Sequence, residues 1–390
     1  MNVFVHHLET LVPRHAYDQD YIGDKLAEWV DDKRIGRIIR QVFRRSGIRR
    51  RHSVLPDFSD DGAARLYRRD GDGRMNQPGT GARNRCYQET SRPLVETVAR
   101  RALAQSPFNA RDITHVVTVS CTGFHNPGPD FDLVMALGLP AGTERYHLGF
   151  MGCYAAFPAL RMARQFCLAE PGAVVLVVCA ELCTLHMQLN HDPDSVLANA
   201  LFSDGVAAAL ISARSPSPDR PALRLGAFHS AMAPEGRRDM AWDIGDTGFN
   251  LVLSSYVPDV IGLNVAQVVE DLCDRSGTDA GEVALWAVHP GGKAILDKVE
   301  AALALQPGQL AASRQILRDF GNMSSATSLF VLQRLLHTPA AESDNIGAMA
   351  FGPGLVIETA MLQRIPARRI AASRPASKTL SSPICKQPAP

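Results

Sequence analysis

Residues 148–167 read LGFMGCYAAFPALRMARQFC. An apolar run ends at a glycine, a cysteine follows, and a long stretch with helical spacing comes after. That order spells strand, tight turn and helix. Two readings of Cys153 fit it. One is a buried structural thiol, the usual state of this residue type. The other is a nucleophile at the positive end of a helix, where backbone N–H groups and the dipole favour a thiolate, the more so with an imidazolium nearby. Pro158 lacks an N–H and is expected to displace or bend the first helical turn.

Outward from this segment the pattern is α/β. GAVVLVVCAEL is a buried strand flanked by glycine, and FSDGVAAALISA is a turn leading into another strand. Upstream, DITHVVTVSCTG is a strand ending at a glycine. QETSRPLVETVARRALAQS is a helix with Pro93 tolerated near its start. Residues 69–86, rich in Gly and Arg, read as a surface loop, and DYIGDKLAEWVDDKRIGRIIRQVFRRSG as one or two amphipathic helices. Downstream the order recurs. GLNVAQVVEDLCDRSG is a helix, EVALWAVHPGG a strand ending at glycines, and AILDKVEAAL a helix. GNMSSATSLFVLQRLLH is a turn and helix, and NIGAMAFGPGLVIETAML is two strands around a Gly-Pro-Gly turn. The recurrence is one of element order, and it predicts two similar α/β halves, 1–215 and 216–365. The stretch 213–224, ARSPSPDRPALR, is the seam. Residues 366–390, with five prolines and no acid, read as a flexible tail in which Cys385 is incidental.

The bulk numbers agree. A chain of 390 residues exceeds one ordinary core. Hydrophobic residues at 46% and charged residues at 21% suit a soluble globular protein, and a net charge of +1 gives no overall case for nucleic acid or an anionic membrane. The N-terminus shows no signal peptide, and the longest apolar strings are too short to span a bilayer. A cytoplasmic protein with reduced thiols is therefore expected despite the eight cysteines. Cys179 and Cys183 have no matching pair of ligands nearby, so no zinc site is expected there.

Three segments set reactive side chains beside glycines at element ends, where ligands meet open α/β folds: MGCYAA (Cys153), AVHPGG (His289) and FGNMSSAT (Asn322). His289 suits an acid/base or donor role, or that of a hydrogen-bonded structural histidine. Asn322 suits a helix cap, or an uncharged N–H donor to a developing oxyanion.

Taken together, GCYAAFPALRMA, VLVVCAEL, LFSDGVAAAL, HPGGKAILDKVE, GNMSSAT and FGPGLVIET resemble the type III polyketide synthases, the chalcone-synthase-like branch of the thiolase superfamily. The order Cys, His, Asn and the spacing of 33 from His289 to Asn322 match as well. VSCTGFHNPGPDF, RYHLGFMGCYAAFPALR and CAELCTLHMQL look most like bacterial members that make alkylresorcinols and alkylpyrones.

The resemblance implies a thiolase-like five-layered αβαβα fold, a homodimer, acyl-CoA and malonyl-CoA as substrates, and no cofactor or metal. It assigns Cys153 as the acyl-carrying nucleophile, with His289 and Asn322 holding the malonyl thioester carbonyl. Phe202 and Phe249 match two aromatic gatekeepers, which without the resemblance would read as core packing. Cys121, Cys183, His186 and Ser324 match substrate-cavity positions. The first two are small and apolar, which suits an alkyl chain and favours a medium- to long-chain fatty acyl-CoA starter. Arg45, Leu251, Gly292 and Ala294 match CoA-binding positions. Other basic positions of the family's helix are Ile38 and Gln41 here, so Arg40 or Arg50 is expected to take part. The rival readings are a ketoacyl synthase III-like priming enzyme and a non-catalytic acyl-CoA-binding protein of thiolase fold.

Overall fold

Nine strands form one mixed sheet. In the computed structural model, which describes residues 1–30, 32–59, 64–338 and 344–367, their order across the sheet is Val283–Val288, Asp344–Gly352, Val356–Ile365, Ala222–Met232, Val3–Leu11, Asp204–Ser212, Val174–Leu182, His115–Ser120 and Glu144–Gly149. The two wings meet at a three-residue seam, where Val3–Val5 pairs antiparallel with Leu223–Leu225. Strands Val174–Leu182 and Asp204–Ser212 are buried along their whole length, which is why both read as unbroken apolar runs.

Two helices fill the space between the wings. Ala156–Ala169 and Ser325–Leu336 share one apolar cluster with strands from both. Ten of the twelve residues of Ser325–Leu336 are buried, as a helix covered on every side requires. Thr80–Ala104 and Pro129–Leu137 cover the outer face of one wing, and Val257–Ser276 and Lys293–Ala302 that of the other. The result is the αβαβα layering expected from the sequence. Among the described residues no helix is long and apolar enough to cross a membrane.

Pro158 lies in the first turn of Ala156–Ala169, where an N–H would have no partner within the helix, and that helix begins three residues after Cys153. Two expectations are corrected. Residues 80–86 are helical, so Pro93 sits inside a 25-residue helix and not near its start. The glycine- and arginine-rich text hides these turns because Arg83 is buried. It is fixed by hydrogen bonds to the Pro78 carbonyl (2.8 Å), the Tyr67 hydroxyl (2.6 Å) and the Leu185 carbonyl (2.6 Å). Finally, Val3–Leu11, absent from the expected elements, is the strand that joins the wings. The tail expectation falls mostly on 368–390, outside the described residues.

Candidate active site

Cys153 sits in a turn between Glu144–Gly149 and the buried helix Ala156–Ala169. Gly152 makes the turn possible. Its φ is +87°, and a Cβ there would lie 2.5 Å from Pro353 of the Gly-Pro-Gly turn, so only glycine lets the two loops close on one another. Cys153 is a half-buried residue that lines a cavity of about 30 Å3.

Asn322 reaches the same cavity by backbone pairing. Its N–H donates to the Leu201 carbonyl at 2.9 Å, and its carbonyl accepts from the Ser203 N–H at 2.8 Å, which fixes it beside Phe202. The side-chain amide has one sensible orientation. Oδ1 accepts from the Ser324 N–H at 2.9 Å and Nδ2 donates to the Gly291 carbonyl at 3.4 Å, and both amide atoms lie 4.0 Å from the Cys153 sulfur. Ser324 holds φ at +46°, an unfavourable value for a residue with a Cβ, and strain of this kind persists where a site over-determines it.

His289 follows the strand Val283–Val288, its N–H donating to the Met349 carbonyl at 2.8 Å. The residue is buried and lines the cavity with Cys153 and Asn322. Neither ring nitrogen has a hydrogen-bond partner among the described residues. A structural histidine would be bonded, so the donor reading is the one the geometry favours.

Burial dominates the electrostatics. It pushes the Cys153 thiol up to about 12, against the opposing effect of hydrogen bonds from Ser324 and Asn322, and with the negative charge of Glu181 adding to the rise. It pushes the His289 imidazole down to about 3. Taken singly, burial disfavours the charged form of both groups, opposing the thiolate that the helix position suggests. Cys153 lies before the first helical residue, Ala156, outside the row of free helix N–H groups.

The remaining predicted residues fall into three places. Phe202, Phe249, Cys183, His186 and Leu251 line a second small cavity, and Phe202 and Leu251 also line the first, so the two share a wall. Arg45, Gly292 and Ala294 line an outer cleft of about 380 Å3 that shares Gly291, Ile295 and Leu253 with the Cys153 cavity. Next to it Arg37, Arg40, Arg44 and Arg45 line an open basic cleft. Arg40 is paired with Asp24 at 2.7 Å, and Arg50 lies 3.9 Å from Asp18.

Cys121 departs from expectation. It is not an apolar wall: its sulfur lies 3.3 Å from Glu181 Oε1 and 3.2 Å from Ser324 Oγ. Glu181 is fully buried and accepts from the Cys121 N–H (3.1 Å), the Thr122 hydroxyl (2.9 Å) and the Ser325 hydroxyl. Burial raises its carboxyl pKa. This acid, which reaches Ser324 through Cys121, was missed in the sequence, although a lone Glu in an apolar strand signals a satisfied or functional buried charge.

His186 supports the gate. The Phe249 N–H donates to its Nδ1 at 3.2 Å, so Nε2 carries the proton and donates to the Thr122 carbonyl at 2.8 Å. The ring stacks on Phe249 with centroids 4.0 Å apart, and burial keeps it neutral, with its pKa down to about 3. His186→Ala is expected to cost about 2–4 kcal/mol in urea unfolding, from an unsatisfied amide plus a cavity. His186→Gln should recover part of that. Equal stability of wild type and His186→Ala would show that the stack holds nothing.

Comparison with known proteins agrees with this arrangement. Residues 6–215 match the N-terminal domain of chalcone and stilbene synthases, and residues 225–366 the C-terminal domain. The chain is 37% identical over 284 residues to bisdemethoxycurcumin synthase of Oryza sativa subsp. japonica, covering 69% of this chain and 70% of that protein. It is 32% identical to the α-pyrone synthesis polyketide synthase-like Pks18 of Mycobacterium tuberculosis, over 90% of this chain and 88% of the relative. It superposes on the crystal structure of PKS-I from the brown alga Ectocarpus siliculosus with a TM-score of 0.85 and 27% identity, covering 93% of this chain and 98% of that one. The chain therefore belongs to the chalcone and stilbene synthase family, the type III polyketide synthases, which are acyltransferases that condense malonyl-CoA.

Proposed function

We propose that this enzyme loads a medium- to long-chain fatty acyl group on Cys153, extends it with malonyl-CoA, and cyclises the product to an alkylresorcinol or alkylpyrone. The observation that carries the chemistry is the convergence of Cys153, His289 and Asn322 on one cavity, with both His289 nitrogens unpartnered among the described residues and the Asn322 amide 4.0 Å from the sulfur. In the loading step the Cys153 sulfur attacks the acyl-CoA carbonyl. Its proton passes to His289, the thioester forms, and CoA leaves as the thiol. Malonyl-CoA then loses its carboxylate as CO2, and the resulting enolate oxygen takes hydrogen bonds from His289 and Asn322. The enolate carbon attacks the acyl-Cys153 carbonyl, and the Cys153 sulfur departs. The product is a β-ketoacyl-CoA two carbons longer, ready to be reloaded.

Arg45, Gly292 and Ala294 in the outer cleft are proposed to hold CoA, with Arg37 and Arg44 beside Arg45 as phosphate partners. The pantetheine arm would pass Gly291 and Ile295, which line both cavities. The starter reading rests on the apolar side chains Met187, Phe202, Phe249 and Leu251 in the inner cavity's wall and on the α-pyrone synthesis named for the mycobacterial relative. The inner cavity holds only about 30 Å3, however, and this favours a second reading, a short starter. Product mass spectrometry with a ladder of acyl-CoA starters plus malonyl-CoA tests both. Ring products from C8 and longer starters are expected. Products from malonyl-CoA alone, with no long starter used, would favour the second reading. Cys183→Phe should lower use of the longest accepted starter relative to the shortest by about tenfold or more. An unchanged profile would remove Cys183 from the chain's path.

We also propose a homodimer. The strand Glu144–Gly149 pairs with the sheet on one side only and carries half-buried Tyr146 and Leu148, an edge suited to a second copy. Light scattering tests this directly.

A further inference from the structure

We infer that Trp242 is a third gate residue, whose indole N–H hydrogen-bonds a ketone oxygen of the growing chain and so distinguishes extended chains from the bare starter. This rests on the proposed reaction.

Trp242 lies in the strand Met240–Gly245, paired antiparallel with Gly248–Leu253 and opposite Leu251, in a hairpin beside the site. It lines both the Cys153 cavity and the inner cavity, so it forms part of the partition between them. Its ring meets those of both proposed gatekeepers edge-on, Phe202 at 6.0 Å and Phe249 at 6.4 Å, and that of Phe150 at 6.4 Å. The indole nitrogen is buried and has no hydrogen-bond partner among the described residues.

A buried indole N–H normally finds an acceptor, and leaving it without one is unfavourable. The rings it meets, Phe150, Phe202 and Phe249, offer none, and no polar side chain of either cavity is hydrogen-bonded to it. The natural acceptor is then a ligand. An alkanoyl starter brings a single carbonyl, which must lie at the Cys153 sulfur. Each extension leaves a further ketone two carbons along, which is the group that passes between Phe202 and Phe249 as the chain advances. The donor is therefore satisfied by an extended chain and left unsatisfied by an unextended one, which favours continued extension over early release.

The test uses the full chain and two CoA analogues in which nitrogen replaces the thioester sulfur, so that neither reacts: the decanoyl and the 3-oxodecanoyl amides. They differ by one ketone. Calorimetry on the wild type should show the 3-oxo analogue bound about fivefold more tightly. Trp242→Phe, which keeps an aromatic ring and removes the donor, should bring the ratio near one with decanoyl affinity within about twofold of wild type. Trp242→Leu serves if the Phe variant does not fold. A merely structural tryptophan would shift both affinities together and leave the ratio alone. Equal binding of the two analogues by wild type, or a preference that survives Trp242→Phe, overturns the role of Trp242 and leaves the reaction untouched. Binding of neither analogue sinks the starter reading and this inference with it.

Discussion

Cys153→Ala is expected to lower chain extension by more than about 10^3-fold while malonyl-CoA decarboxylation persists. The two half-reactions draw on different atoms. Extension needs a covalent acyl carrier, and Cys153 supplies the sulfur on the cavity shared with His289 and Asn322. Cys121 cannot stand in for it, because its thiol is hydrogen-bonded to Glu181 and its pKa is raised well above the usual range by burial. Decarboxylation needs donors to an enolate oxygen, and these remain. Asn322 is held by backbone bonds to Leu201 and Ser203 and by the Ser324 N–H, none of which involves the sulfur. The measurement pairs CO2 release from malonyl-CoA with product mass spectrometry on the same enzyme. Extension near the wild-type rate would show that the nucleophile lies elsewhere. Loss of decarboxylation in proportion to extension would show that the sulfur helps to bind malonyl-CoA.

Much of this molecule was legible in its sequence, for identifiable reasons. Val174–Leu182 and Asp204–Ser212 read as strands because burial along their whole length leaves a continuous apolar signal. Cys153, His289 and Asn322 stood out because each is flanked by glycine where the backbone must turn or approach another chain segment closely. Gly152 against Pro353 and Gly321 against the Leu201 carbonyl are two such places. The misses have a common cause: a polar residue whose partners are distant in sequence. Arg83 looked like loop text because its acceptors lie at 67, 78 and 185. Arg51 is buried and donates to the carbonyls of Asn199 (2.6 Å) and Phe202 (2.8 Å), bracing the segment that holds the gate, yet its local sequence, RRSGIRRRHSV (44–54), shows only charge. Cys121 looked apolar because nothing local reveals the carboxylate of Glu181 beneath it. Charge state was the least legible property. Helix position argued for a thiolate, whereas desolvation, a property of the whole cavity, outweighs it.

That imbalance gives the second large effect. His289→Gln is expected to slow alkylation of Cys153 by iodoacetamide at pH 7 by about 10^2-fold or more, and to steepen its pH dependence. The sign follows from the burial of both groups. Burial drives the thiol up to about 12 and the imidazole down to about 3, so each resists ionising alone. A thiolate forms far more readily if its proton can move to a base in the same cavity, because the two opposite charges then stabilise one another at low local dielectric. His289 lines that cavity and has both nitrogens free among the described residues. Glutamine keeps a hydrogen-bond donor and removes the base. Only direct ionisation of the buried thiol then remains, and the thiolate fraction must rise about tenfold per pH unit from pH 6 to 9, since that whole range lies below the raised pKa. The wild-type profile should be flatter and higher across the same range. Intact-mass measurement of alkylation against pH reads both slopes without CoA substrates, so it separates activation of the sulfur from binding. Equal rates and equal slopes in the two enzymes would mean that the proton leaves Cys153 by another route and that His289 acts on the malonyl carbonyl alone.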